Sequence, residues 1–173
     1  MFKKFIPFAH AKSIYEIDVD FYKRNGVTTL FMDLDNTLDS FKAREPKEET
    51  INLVKVLKEN DINPIIISNN KASRVSGYAN LLGVEFLSRA RKPFSRKIKN
   101  EIAKRGVDKN SVMLVGDQMM TDVLAANGAK IKVVLTEKIV KEDQWTTHIN
   151  RIFDRPIRKY HLRHNNLIDW RNK

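Results

Sequence analysis

The chain has 173 residues, 42% hydrophobic and 31% charged with only 6 Gly and 5 Pro, which fits one globular domain and excludes disordered and fibrous classes. Cysteine is absent, so disulfides, zinc-thiolate sites and thiol nucleophiles are excluded, and any metal must sit on oxygen or imidazole. The net charge of +11 is concentrated at the ends: Lys3, Lys4 and Lys12 stand without an acid in the first twelve residues, and residues 151–173 hold seven basic residues against Asp154 and Asp169. Such segments suit an anionic partner, either a lipid surface or nucleic acid.

The first segment, "MFKKFIPFAHAKSIYEI", is basic and aromatic, but Pro7 and His10 break its apolar run and no small-residue cleavage site comes after it, so it is expected to be retained. No run approaches the roughly 20 apolar residues that span a bilayer, so a soluble or peripheral cytoplasmic protein is expected. After the turn signal Asn25-Gly26, "VTTLFMD" (27–33) is β-rich. "PKEETINLVKVLKEN" (46–60) opens with Pro and acids, closes with Lys, and spaces Ile51, Val54 and Leu57 for one face of a helix. "INPIIISNN" (62–70) supplies a second strand, and Val75, Tyr78, Ala79 and Leu82 recur at helical spacing up to Gly83.

"VEFLS" (84–88) reads as a third strand. "KPFSRKIKNEIAKRG" reads as a helix with Phe94, Ile98 and Ile102 four residues apart and Gly106 past its end. "SVMLVGD" (111–117), "TDVLAANG" (121–128) and "IKVVLT" (131–136) continue as strand, short helix and strand. The alternation predicts an α/β fold in three layers, a five-stranded, mostly parallel, Rossmann-like sheet with helices on both faces. Residues 1–173 are expected to form a single domain with its core over about 27–136 and basic extensions at both ends.

Ligands of such sheets bind beyond the carboxyl ends of the strands. Those positions hold Asp33 and Asp35, then Ser68 and Asn69, then Lys92, then Gly116-Asp117 with Asp122. Carboxylates, a hydroxyl and an ammonium at one edge would make a small cation site beside a phosphate-sized one. The chemistry accounts for the residue types. A carboxylate nucleophile splits phosphate ester hydrolysis into two steps through an aspartyl-phosphate. Mg²⁺, which prefers oxygen ligands, lets the two anions approach. A second carboxylate two positions from the first lies on the same side of the chain and can protonate the leaving alcohol, then deprotonate water. "DLDNT" lacks the glycine and twelfth-position glutamate of a calcium loop. His10, His148, His161 and His164 lack metal-ligand spacing on one helix face, and Trp145 and Trp170 are either interfacial anchors or packing residues.

"DLDNTL" (33–38), the strand ending in Ser68-Asn69, the Lys92-Pro93 pair and "GDQMMTD" (116–122) together resemble the four ordered motifs of the haloacid dehalogenase (HAD) superfamily of phosphatases. The resemblance covers about residues 27–135. It implies Asp33 as nucleophile and metal ligand, and Asp35 as acid/base and backbone-carbonyl ligand. Ser68 and Asn69 would hold phosphoryl oxygens, Lys92 (rather than its neighbour Arg91) would balance charge, Asp117 would bind Mg²⁺, and Asp122 would support the metal. The intervals between the motifs leave no room for a cap domain, which implies an open site suited to a bulky or surface-borne substrate. Within that superfamily the short chain, its first segment and its basic tail resemble the bacterial YqeG-like group of subclass IIIA, similar to phosphatidylglycerophosphate phosphatases. That implies a lipid head group as substrate and an anionic membrane surface, at the inner membrane face, as partner of the basic termini. The same residues admit two rivals: a phosphatase acting on a soluble phosphomonoester or a nucleic-acid terminal phosphate, and a non-catalytic RNA- or ribosome-binding protein.

Overall fold

The computed structural model describes residues 3–139 and 145–173, with side chains from 154 onward in the latter stretch. Six parallel strands form one sheet: β1 (Ala9–Ala11), β2 (Thr29–Asp33), β3 (Asn63–Ile67), β4 (Glu85–Leu87), β5 (Val112–Gly116) and β6 (Lys132–Thr136), in spatial order β1-β6-β5-β2-β3-β4. The count corrects the five strands expected from sequence. The extra strand, β1, is three residues long, too short for alternation to show, and it pairs Ala9 with Val134 at the sheet's edge.

The central strands β2 and β5 are buried at every position, as expected of a parallel sheet covered on both faces. One core layer packs α1 (Val19–Arg24), α2 (Glu48–Glu59) and α3 (Ala72–Leu82) on one face of the sheet through Phe21, Tyr22, Val54, Leu57, Val75 and Tyr78. The other face carries α4 (Arg96–Arg105), α5 (Leu124–Ala129) and part of α6 (Trp145–Arg163) through Ile98, Ile102, Ala126 and Ile157. Gly83 and Gly106 end α3 and α4 at φ 60° and 64°, the left-handed conformation glycine adopts at least cost.

Two apolar residues depart from the sequence reading. Ile51 is 51% exposed, and Thr50 faces inward in its stead, buried with its hydroxyl 2.7 Å from Tyr15 Oη. Phe94 lies outside α4, held in a turn by its own N–H donating to the Arg91 carbonyl, and is 72% exposed. Helical spacing alone does not distinguish a residue on the helix from one just ahead of it.

The basic ends are not free extensions. Beyond α6 the chain returns to β1, where His10 N–H donates to the Ile168 carbonyl and His10 bridges Asp169. Trp170 is buried edge-to-face on Phe21, with ring centroids 5.8 Å apart, while Arg24 donates to the carbonyls of Trp170 and Lys173. Trp170 is therefore a core residue; Trp145 and His148 fall outside the described side chains. No helix among the described residues is long and apolar enough to cross a membrane.

Burial of a large aromatic at a chain end makes a checkable energetic demand. Trp170→Ala is expected to lower the unfolding free energy by about 3–5 kcal/mol in urea titrations, whereas a loss below ~1 kcal/mol would mean that the tail is not docked.

Candidate active site

β2 delivers Asp33 at its last residue, in register with Ile67 of β3, and the chain then reverses sharply. Asn36 takes φ 68°, a left-handed conformation Asn tolerates, and the Leu34 carbonyl accepts from both Leu38 and Asp39 N–H. This turn carries Asp35 over the end of the sheet, where the Asn70 amide donates to Oδ2 at 2.6 Å and Arg74 pairs with Oδ1 at 3.2 Å. Sequence alone gives no role to Asn70 or Arg74. Asn70 is the last residue of "SNN", and Arg74 on the polar side of its helix is indistinguishable in sequence from a solvated charge.

Lys92 is the centre of the site. Its ammonium, almost fully buried, donates to Asp33 Oδ1 at 2.5 Å, Asp122 Oδ1 at 2.6 Å and the Ile67 carbonyl at 3.3 Å. Burial by itself would lower its pKa, but Asp122 and Asp33 outweigh it and hold the amine protonated, well above the ordinary lysine range. Burial pushes the Asp33 carboxyl well above the usual carboxylate range, opposed by Lys92 and reinforced by Asp122 and Asp117. Asp33 Oδ2 accepts no hydrogen bond from the described residues, so one oxygen is fixed by Lys92 and the other is left for chemistry. Arg91, the competing cation, is exposed.

The Asn69 side chain is engaged with the Lys92 loop. Its side-chain amide donates to the Lys92 carbonyl and its carbonyl accepts the Lys92 N–H, both at 2.8 Å. Both ends of the side chain thus bond the backbone of the Lys92 loop and clamp it. Ser68 is buried beside it, its hydroxyl accepting from Asn70 N–H at 3.1 Å.

Asp117 and Asp122 come after β5. Residues Met119–Val123 form a π-helical turn ahead of α5, in place of the plain helix start that the sequence predicts, and this wider turn brings Asp122 back toward the strand end. Asp122 Oδ2 accepts from Gln118 N–H and the Thr121 hydroxyl at 3.1 and 3.3 Å. Gly116 is required here for space: a Cβ would fall within 2.6 Å of Asp122 Cβ and 2.7 Å of its Oδ2. The loop is braced from outside by α6, whose buried Asp154 accepts Met120 N–H at 2.7 Å and whose Arg158 donates to the carbonyls of Asp117 and Thr136. In sequence, Asp154 and Arg158 read only as members of a basic tail.

One carboxylate oxygen from each of Asp33, Asp117 and Asp122 lies within 4.8 Å of the other two, all three residues buried. Lys92 sets one positive charge against this trio, which when fully ionised carries three negative charges. A divalent cation with hard oxygen preferences fits that donor set and would neutralise it. The Asp35 side chain stands apart from this trio, paired with Asn70 and Arg74.

This constellation on a parallel sheet agrees with the match of residues 3–130 to the haloacid dehalogenase-like hydrolase family. The chain belongs to that family. It is 31% identical over 158 residues to the "Probable phosphatase YqeG" of Bacillus subtilis (strain 168), covering 91% of this chain and 92% of that protein. Its fold is shared with a hypothetical protein from Xanthomonas campestris, at TM-score 0.56 and 14% identity over 79% of this chain and 77% of that one. It is shared too with the 3-deoxy-D-manno-octulosonate 8-phosphate phosphatase of Moraxella catarrhalis, solved in complex with a magnesium ion, a phosphate ion and a KDO molecule, at TM-score 0.50 and 14% identity over 69% of this chain and 82% of that one.

Two variants test the cation site through stability rather than turnover. At Mg²⁺ about 100-fold above its Kd, the wild-type chain is expected to gain about 2.7 kcal/mol, read as a rise in Tm, and Asp117→Asn is expected to lose most of that gain. Gly116→Ala should destabilise by about 1–3 kcal/mol through overpacking and blunt the same response by displacing Asp122. An unchanged Mg²⁺ response in both variants would place the ion elsewhere.

Proposed function

We propose that this chain is a Mg²⁺-dependent phosphomonoesterase acting through a phosphorylated Asp33, with phosphatidylglycerophosphate as substrate and phosphatidylglycerol as product. The observation that carries this reading is the Lys92 bridge, which fixes Asp33 Oδ1 and leaves Oδ2 without a hydrogen bond from the described residues. The likeness to a probable phosphatase and the magnesium and phosphate in a protein of the same fold support it.

Asp33 Oδ2 attacks phosphorus and the bond to the leaving oxygen breaks. Asp35, oriented by Asn70 and Arg74, gives that oxygen its proton. In the second step the Asp35 carboxylate takes a proton from water, the water oxygen attacks the acyl phosphate, and inorganic phosphate leaves with Asp33 restored. Ser68 and backbone groups of its turn bind phosphoryl oxygens, while the Asn69 side chain holds Lys92 in position. Asp33, Asp117, Asp122 and the Asp35 carbonyl would hold Mg²⁺, which when bound neutralises the approaching phosphoryl charge.

The lipid assignment rests on access. Only α2 and β3 separate the Asp35 loop from Ser68, and only α3 and β4 separate Asn69 from Lys92. With no cap inserted, residues 1–173 act as one unit with an open site, suited to a head group presented at the inner face of a membrane. The resemblance to phosphatidylglycerophosphate phosphatases supplies the particular lipid.

A panel of vesicle-borne phosphatidylglycerophosphate, sugar phosphates and a 3′-phosphorylated oligonucleotide tests this directly. Phosphate release is expected from the lipid at the highest kcat/KM; efficient cleavage of a soluble ester with the lipid untouched would refute the lipid reading. Asp33→Asn should abolish turnover while leaving thermal unfolding cooperative. Asp35→Asn should lower kcat by about 10²–10⁴. A variant at Asp33 with near-normal activity would overturn the nucleophile assignment.

A further inference from the structure

We infer that the turn between β4 and α4, residues 88–95, is the surface by which this protein docks on an anionic lipid bilayer, with Phe94 entering the interface. The inference rests on the lipid reading for its choice of partner, but stands on its own observations. Phe94, at 72%, is more exposed than any other large apolar side chain among the described residues. A single exposed apolar residue is ordinary on a protein surface, yet this one has particular company.

Arg89 and Arg91 precede it and Arg96 comes after it, all exposed, and none has a carboxylate partner among the described residues. Interleaved guanidinium groups and an aromatic ring are complementary to an anionic leaflet, the cations meeting phosphate while the ring reaches the acyl boundary. The turn is also rigid. Phe94 N–H donates to the Arg91 carbonyl at 2.9 Å, Lys97 donates to the Arg89 carbonyl at 2.6 Å, and the Asn69 amide clamps Lys92 twice. The ring is therefore held out to solvent by a preorganised loop, and binding there costs little ordering.

Phe94 stands two residues from Lys92, just ahead of α4, whose N-cap residue Ser95 packs against Gly128 of α5. The loop after β2 carries another aromatic ring, the half-buried Phe41, with the Lys42 ammonium 5.7 Å from its centroid and Arg44 exposed nearby in sequence. The basic tail, to which the charge pattern alone assigns the membrane contact, instead anchors itself through buried Trp170.

Vesicle flotation of the full chain, with Phe94→Trp, Phe94→Ala and the double variant Arg91→Gln/Arg96→Gln, tests the inference. Phe94→Trp fluorescence should shift to the blue on vesicles of mixed phosphatidylcholine and phosphatidylglycerol and stay unchanged on phosphatidylcholine alone. Phe94→Ala should weaken partition to the anionic vesicles by about tenfold, and the double arginine variant should do so in a salt-dependent manner, while hydrolysis of a small chromogenic phosphate ester is unchanged in Phe94→Ala. A blue shift without any lipid hydrolysis would sink the proposed substrate and keep the docking surface. Lipid hydrolysis with no blue shift would do the reverse. Equal loss of chromogenic ester hydrolysis in Phe94→Ala would make the ring part of the substrate site, and tighter binding of the turn to an RNA oligonucleotide than to vesicles would make it a nucleic-acid surface; either overturns the inference.

Discussion

A buried lysine ammonium between two buried carboxylates is the constraint on which the site depends. Lys92 reaches Asp33 and Asp122 at 2.5 and 2.6 Å in an environment where an unpaired charge would be costly, so the three groups are bound to one another's ionisation and position. They come from three separate segments of the chain. A shift of the Lys92 loop would strand Asp122 and unfix Asp33 together, which explains why the surroundings of Lys92 are so heavily tied: Asn69 grips its backbone on both sides and Ile67 takes a third ammonium proton.

The parallel sheet makes that meeting possible. Adjacent β2, β3 and β5 all point the same way, so the loops at their carboxyl ends gather along one edge. The π-helical turn at Met119–Val123 and the absence of a side chain at Gly116 then allow Asp122 to fold back over the strand end. The second layer of support comes from α6, where Asp154 and Arg158 fasten the loop bearing Asp117. The C-terminal segment thus serves the edge bearing Asp117 as a brace and the sheet's far edge, through Trp170, as a seal.

Much of this is legible in the sequence because strand ends in a parallel sheet are marked by chemistry as well as by hydropathy. β2, β3, β5 and β6 announce themselves as apolar runs, and Asp33, Lys92, Asp117 and Asp122 are brought together as their places just beyond those runs suggest. The remainder has no local signal. β1 is too short for a pattern, and its pairing with β6 spans most of the chain. Arg74 and Asn70 become partners of Asp35 only through tertiary contact. Trp170 and Arg158 belong to a stretch whose charge suggests a solvated tail, yet period and charge cannot reveal that a chain end folds back. The Asn69 side chain points at a neighbouring loop, a choice of hydrogen-bond partner that no spacing encodes.

Direct evidence for the central claim would be the covalent state of Asp33 during turnover. Protein quenched in acid while hydrolysing a phosphomonoester in the presence of Mg²⁺ can be digested and its peptides weighed. A phosphate-sized mass gain, removable by hydroxylamine, is predicted on the peptide containing Asp33 and nowhere else. Turnover with every Asp33 peptide unmodified, or the gain located on another residue, would contradict it.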